Sequence, residues 1–258
     1  MTAFADLHRQ DLPLLLPNAW DVPSALAFVA AGYPAIGTPS LGVAASHGVP
    51  DGGRATRAAN VALAHGLMRL PVPVSIDCED GYADAPGQVA EYVAQLAGLG
   101  VAGVNLEDST SERLVAPRAF AAKISAVKEA APGVFLNARI DTYWLHQDES
   151  VEATLDRATA YVDAGADGIF VPGAAEPEGI RAIAVGVAVP VNVLPVPGLS
   201  LADLAALGVR RVSTGSLPYR AALAAAVDAA EAVREGSAPP RSVPYAELQA
   251  RLSEFTSG

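Results

Sequence analysis

Acidic side chains crowd the ends of four short apolar runs in this chain, and an arginine joins them at the last. The runs are LLLPNAWD (14–21), PVSIDCEDGYAD (73–84), GVNLEDS (103–109) and FLNARIDTY (135–143). Each opens as a buried-strand pattern and breaks into charge at its C-terminal end, the edge where ligands bind in parallel α/β folds. Gathering Asp77, Glu79, Asp80, Glu107, Asp108 and Arg139 there is costly without a counter-ion. Hard oxygen donors suit Mg²⁺, with Mn²⁺ the alternative, completed by waters and substrate oxygens. Asn137, Arg139 and Asp141 alternate along one strand and share a face, and the Arg139 fork matches a carboxylate or a phosphonate. The competing readings are a solvated polar turn at 77–81 and an internal ion pair at Arg139.

The elements that position these residues recur. Four times an Ala-rich amphipathic helix ends at a glycine and is followed by an apolar run, at 25–38, 92–106, 158–171 and 201–213. Glycine after the last helical turn and a strand buried on both faces make αβ units, hence a parallel sheet. Strands are expected at 14–17, 34–38, 73–77, 103–106, 134–139, 168–171, 190–194 and 210–213. The clearest helices are expected at 86–99, 117–131, 150–164 and 217–235. Eight such units predict a single-domain α/β protein, a (β/α)8 TIM barrel over residues 1–236, with a linker and a short C-terminal helix over 237–258.

Composition narrows the chemistry. A formal net charge of −11 argues against nucleic acid and anionic membrane as partners. The uncharged stretch 182–202 carries Pro190, Pro195 and Pro197, so no regular spanning helix is expected there. The N-terminus lacks a signal-peptide layout, and the single cysteine, Cys78, fits a reducing cytoplasm. Two lysines, both on one predicted helix, leave no strand-borne Schiff base. The histidines show no zinc spacing, and Cys78 between acids reads as a packing residue. No GxGxxG or GxxxxGK[ST] segment occurs. Ser213–Ser216 reads as a helix cap rather than a phosphate site.

With those residues in view, the chain resembles the isocitrate lyase/phosphoenolpyruvate mutase superfamily over about residues 11 to 236, nearest its phosphonomutase-like members. IDCEDGY (76–82) is similar to the family's D-x-D-x-G-[YF] segment, NLEDS (105–109) to its [IV]-E-D motif and NARID (137–141) to its [KN]-A-R-x-D motif. GVAASHGVPDGG (42–53) is similar to the loop after the second strand. The resemblance implies Mg²⁺ held by Asp77, Glu79 and Glu107, mostly through waters. It implies substrate held by Thr38, Pro39, Ser40, Asp77, Arg139 and Asn192, with Asp51, Glu107 and Arg139 at the chemistry. It also implies a homo-oligomer, a dimer or a tetramer built by exchange of the last barrel helix. The K-[KR]-C-G-H segment of the family's C–C lyases is absent; STSERLVAP (109–117) stands in its place and is expected to close over the site. Gly173 falls roughly where lyases carry a glutamate. The activity implied is Mg²⁺-dependent cleavage or rearrangement of a C–C or P–C bond in a small 2-oxo or 2-hydroxy carboxylate through an enolate. The alternatives are an oxaloacetate-type hydrolase or decarboxylase, a phosphosugar barrel, and a non-catalytic binding or assembly barrel.

Overall fold

The computed structural model describes residues 3–257; Met1, Thr2 and Gly258, which fall in the expected barrel and tail ranges, lie outside the described residues. The strands are β1 (Leu14–Leu16), β2 (Ile36–Gly37), β3 (Val74–Asp77), β4 (Gly103–Glu107), β5 (Ser109–Thr110), β6 (Arg113–Leu114), β7 (Phe135–Arg139), β8 (Gly168–Phe170), β9 (Val191–Val193) and β10 (Arg211–Ser213). Eight of them form one parallel sheet in the order β1-β10-β9-β8-β7-β4-β3-β2. Ala19 N–H to Gly37 O and Gly37 N–H to Pro17 O, both 2.8 Å, join the ends of β1 and β2 and close the barrel. This is the (β/α)8 architecture expected from the repeats.

The helices are α1 (Ala3–Asp6), α2 (Val22–Ala30), α3 (Ser40–Ser46), α4 (Arg57–Leu67), α5 (Pro86–Leu99), α6 (Pro117–Ala130), α7 (Val151–Asp163), α8 (Pro177–Gly186), α9 (Leu201–Ala206), α10 (Leu217–Glu235) and α11 (Tyr245–Ser257). Proline opens α5, α6 and α8, where its missing N–H costs nothing. Gly100 ends α5 at φ 109°, and the glycines ending the other three repeats, Gly32, Gly165 and Gly208, are also left-handed. The main hydrophobic core fills the space between strands and helices, with Ile76, Val104, Leu106, Leu136 and Ile169 among its fully buried members. Among the described residues, no helix is long and apolar enough to cross a membrane.

Two features depart from the pattern reading. The N-terminal segment folds as α1 and a following 3-10 turn, and it plugs the lower end of the barrel. Phe4 meets Phe135 edge-on at 5.6 Å and His8 stacks on Phe135 at 4.4 Å. A Cβ at Gly103 would lie 2.7 Å from the Phe4 ring, so this strand position must stay bare. Burial, then the nearby Arg211 charge, lowers the His8 pKa to about 4, which keeps the plug neutral. The second is the form of the segment expected to close over the site: it is a β5–β6 hairpin, held at several points. Leu114 N–H donates to Gln147 Oε1 (3.1 Å), Thr110 Oγ1 to Asp80 Oδ2 (2.6 Å) and Arg157 Nη1 to Val115 O (3.0 Å).

At the other end of the chain, α10 leaves Leu223, Val227 and Val233 exposed. α11 folds back over the barrel wall, where Phe255 packs against the main core and Arg69 lies over its ring.

Candidate active site

Strand ends bring together three of the predicted residues. Asp77 closes β3, Glu107 closes the neighbouring β4, and Arg139 closes β7 directly opposite Glu107 in the β4–β7 register. Arg139 Nη1 lies 3.0 Å from Glu107 Oε2, and Nε donates to Asp141 Oδ1 at 2.6 Å. Asp141 in turn accepts from Ser109 Oγ at 2.6 Å. Asp51, on the exposed loop after α3, accepts from Ser40 Oγ at 3.2 Å, and its charge acts on both Asp77 and Glu107. Thr38 Oγ1 accepts from the Asp77 N–H (3.0 Å) and its carbonyl from Asn18 Nδ2 (2.9 Å), which stitches β2 to β1 and β3. Pro39 caps α3 without a side-chain bond, so the first-turn N–H groups of α3 face the mouth free of a cap.

The electrostatics are lopsided. Burial raises the Asp77 pKa to about 6; Arg139 opposes this, and Asp51 and Glu79 reinforce it. Burial likewise pushes Glu107 well above its usual value against the pull of Arg139, with Asp141, Asp77 and Asp51 adding to the rise. Burial pulls Arg139 down, but Asp141, Glu107 and Asp77 together hold it above the ordinary arginine value, so it stays charged. The mouth therefore holds more negative charge than one guanidinium offsets.

Other predicted residues sit elsewhere. Glu79, at φ 47°, donates its N–H to Asp77 Oδ1 (3.1 Å), while its carboxylate is engaged elsewhere: Oε2 accepts from Arg54 N–H (2.9 Å) and Oε1 from Thr56 Oγ1 (2.6 Å). Both ends of the Asn192 amide are spent on Ser213, by Nδ2 to Oγ (3.0 Å) and by Oδ1 from the Ser213 N–H (3.1 Å). Asp80 is clamped by Arg54, Thr110 and the Tyr82 N–H. Asp108 points outward and accepts from Arg157 Nη1 (3.0 Å), Tyr161 OH (2.7 Å) and the Asp141 N–H (2.9 Å). Asp108→Ala would strand the buried Arg157 charge and should cost about 3–5 kcal/mol. Urea denaturation at pH 7 checks this, and a loss under 1 kcal/mol would remove the anchoring role. Cys78 is buried with its thiol pKa raised well above the usual value by desolvation, as expected of a packing residue.

Pattern reasoning missed Arg211. This fully buried side chain starts on β10, and its Nη2 reaches Asn105 Oδ1 on β4, four strands around the barrel (3.3 Å). Nε donates to Ser213 Oγ (2.9 Å), and Asn105 also accepts from Asn137 Nδ2 (3.0 Å). A charged residue within a predicted barrel strand, RRVS, was the available signal. No three His, Cys, Asp or Glu side chains among the described residues converge into a ready-made metal cluster.

Fold and mouth define the class: a (β/α)8-barrel enzyme with acids and an arginine at the C-terminal ends of its strands. A family model described as phosphoenolpyruvate phosphomutase matches residues 4–234, and the chain belongs to that family, within the PEP mutase/isocitrate lyase superfamily. It is 58% identical to an uncharacterized protein of Mycobacterium tuberculosis (strain H37Rv), across 98% of this chain and 97% of that one. It is 32% identical to the oxaloacetate decarboxylase of Rhodopseudomonas palustris (strain BisB5), over 65% of this chain and 61% of that one. Among solved structures, 2,3-dimethylmalate lyase is 26% identical with a TM-score of 0.86, covering 100% of this chain and 97% of that one.

Proposed function

We propose that the chain is a Mg²⁺-dependent enzyme that cleaves or rearranges a C–C or P–C bond of a small 2-oxo or 2-hydroxy carboxylate through an enolate. The observation that carries this reading is the meeting of Asp77, Glu107 and Arg139 at one mouth, with Asp51 close by. The donor set fits a dication, Mg²⁺ or Mn²⁺: crowded, buried carboxylates with raised pKa values are relieved by added positive charge. With no three such ligands converging among the described residues, Asp77 and Glu107 would hold it largely through waters, as Mg²⁺ prefers; Glu79, engaged with Arg54 and Thr56, would act through them. When bound, the ion supplies Lewis-acid stabilisation of charge developing on a substrate oxygen.

The protein's own groups do the rest. Arg139 exchanges its Glu107 partner for the substrate carboxylate and fixes the reacting bond by a planar fork. The first N–H groups of α3 donate to the oxygen that gains charge as the bond breaks, beside the Ser40 hydroxyl, whose one proton is given to Asp51. A second reading, hydrolysis or decarboxylation of an oxaloacetate-type acid, is supported by the 32% identity to an oxaloacetate decarboxylase, with water to protonate the enolate or attack a carbonyl.

A Mg²⁺-dependent screen of 2-oxo acids, 2-hydroxy acids and phosphonates with product identification separates these outcomes. Oxalate plus acetate, pyruvate plus CO₂, or released phosphate each name one reaction, and no turnover of any of them would sink the proposal. Arg139→Ala should lower kcat/KM about 10²-fold or more, since it removes a charge-assisted bond to substrate. An unchanged KM and kcat would remove Arg139 from the site.

We infer a homo-oligomer, dimer or tetramer, in which α10 packs on a second copy; its exposed Leu223, Val227 and Val233 support this. A monomeric mass in solution would count against it. Residence in the cytoplasm is inferred from the lone, buried Cys78, and cell fractionation checks it.

A further inference from the structure

Arg139 is held along its edges and on its face. Nε donates to Asp141, and Nη1 meets Glu107, the partner that gives way to a substrate carboxylate in the reading above. The face belongs to Trp144, whose ring centroid lies 5.6 Å from Arg139 Cζ. The two acids occupy edge donors that a carboxylate ligand would use. A contact with a π-face draws on the charge of the guanidinium and takes up none of its N–H groups. The ring therefore does not compete with an anion for Arg139.

The chain fixes the backbone of Trp144 on three sides. After β7 it turns sharply: Leu145 N–H donates to Asp141 O (2.9 Å) and Gln147 N–H to Thr142 O (3.0 Å). The hydroxyls of Thr142 and Thr154 meet at 2.7 Å and tie this turn to α7. Gln147 ties it to the hairpin, accepting from Leu114 N–H (3.1 Å) and donating to Glu112 O (2.9 Å). On the β8 side, Gly173 at φ 87° lets the turn come close, since a Cβ there would lie 3.2 Å from Trp144 N. Tyr143 packs against the main core, whereas the Trp144 side chain beside it remains 53% exposed. A firmly held backbone thus presents a half-open indole over the buried arginine.

We propose that Trp144 is the positioning residue for Arg139. Its ring face keeps the guanidinium plane in place while Glu107 yields to a carboxylate ligand, and its open edge borders the space that ligand enters. This rests on the site reading above and adds a residue to it. An arginine ordered in advance loses less freedom when the ligand binds. Phenylalanine would keep a π-face over the guanidinium; leucine would keep apolar bulk without one.

The test is calorimetry with oxalate and Mg²⁺ on the full chain and on its Trp144→Ala, Trp144→Leu and Trp144→Phe variants. Ala and Leu should weaken oxalate binding about fivefold, and Phe should stay within about twofold of the parent. A second readout leaves Trp144 in place. The chain has two tryptophans, and the other, Trp20, meets Tyr219 edge-on at 5.3 Å. In Trp20→Phe the tryptophan emission comes from Trp144 alone, and it should change when oxalate and Mg²⁺ bind. Parent-like affinity in the Ala or Leu variant, a Phe variant as weak as Ala, or emission unmoved at saturating oxalate overturns the inference and leaves the site reading standing. Absence of Mg²⁺-dependent oxalate binding by the parent overturns both together. If the Trp144 variants fail to fold, the emission of Trp20→Phe decides.

Discussion

Asp77→Ala should abolish Mg²⁺-dependent turnover, lowering kcat/KM by about 10³-fold or more, the scale of losing a group that organises charge stabilisation. The same residue should carry an opposite effect on stability. Its folded pKa, raised from 3.8 to about 6, means the ionised form is the disfavoured one. The penalty is absent below about pH 4, grows as pH rises through 6, and is fully present at pH 8. At ~1.4 kcal/mol per unit it amounts to about 3 kcal/mol. Asp77→Asn should therefore be inactive yet more stable than the metal-free parent at pH 8, and no more stable at pH 4. Thermal denaturation at the two pH values reads this directly. Full activity in the Ala variant, or an Asn variant less stable at pH 8, would take Asp77 out of the proposed role. Added Mg²⁺ should raise the Tm of the parent at pH 8 and leave that of the Asn variant unmoved.

Arg211→Ala should cost about 3–5 kcal/mol of stability, among the largest single-residue losses in the chain. The side chain crosses the barrel from β10 to β4 and bonds Ser213 and Asn105 on the way. Truncation leaves a void across the barrel's centre and two buried polar groups short of a partner. The charge itself is a burden. Desolvation pulls the pKa down to about 9, with Asp77 the carboxylate whose charge opposes the fall, and Nη1 has no partner among the described residues. Arg211→Met, which fills similar volume without charge, should lie within about 1 kcal/mol of the parent or above it. Urea titrations of both variants at pH 7 distinguish the cases. Equal losses for Ala and Met would mean that the charge, and not the filled volume, holds this layer together.

Local patterns carried most of the architecture. The helices at 86–99 and 217–235 and all eight barrel strands lie within a few residues of their expected positions, because glycine caps, proline starts and doubly buried strands are local signals. The same patterns made Asp77, Glu107 and Arg139 legible, since each ends a strand and strand ends of a parallel barrel share one face. Adjacent acids were not separable by pattern. Side chains one apart leave a strand on opposite sides, so Glu107 turns inward to Arg139 while Asp108 turns outward to Arg157. Glu79 and Asn192 match in spacing as well, but their partners, Thr56 and Ser213, are remote in sequence.

From the sequence alone follow the barrel, its acidic strand ends and the absence of the lyases' cysteine-bearing segment, because periodicity, caps and residue supply are properties of short segments. Only the tertiary structure decided which acids face the mouth, that Arg211 bridges opposite walls, and that Phe170 lies beside Arg139. Those outcomes depend on barrel closure and register, which bring together residues as far apart as 105 and 211, and no local pattern encodes that distance.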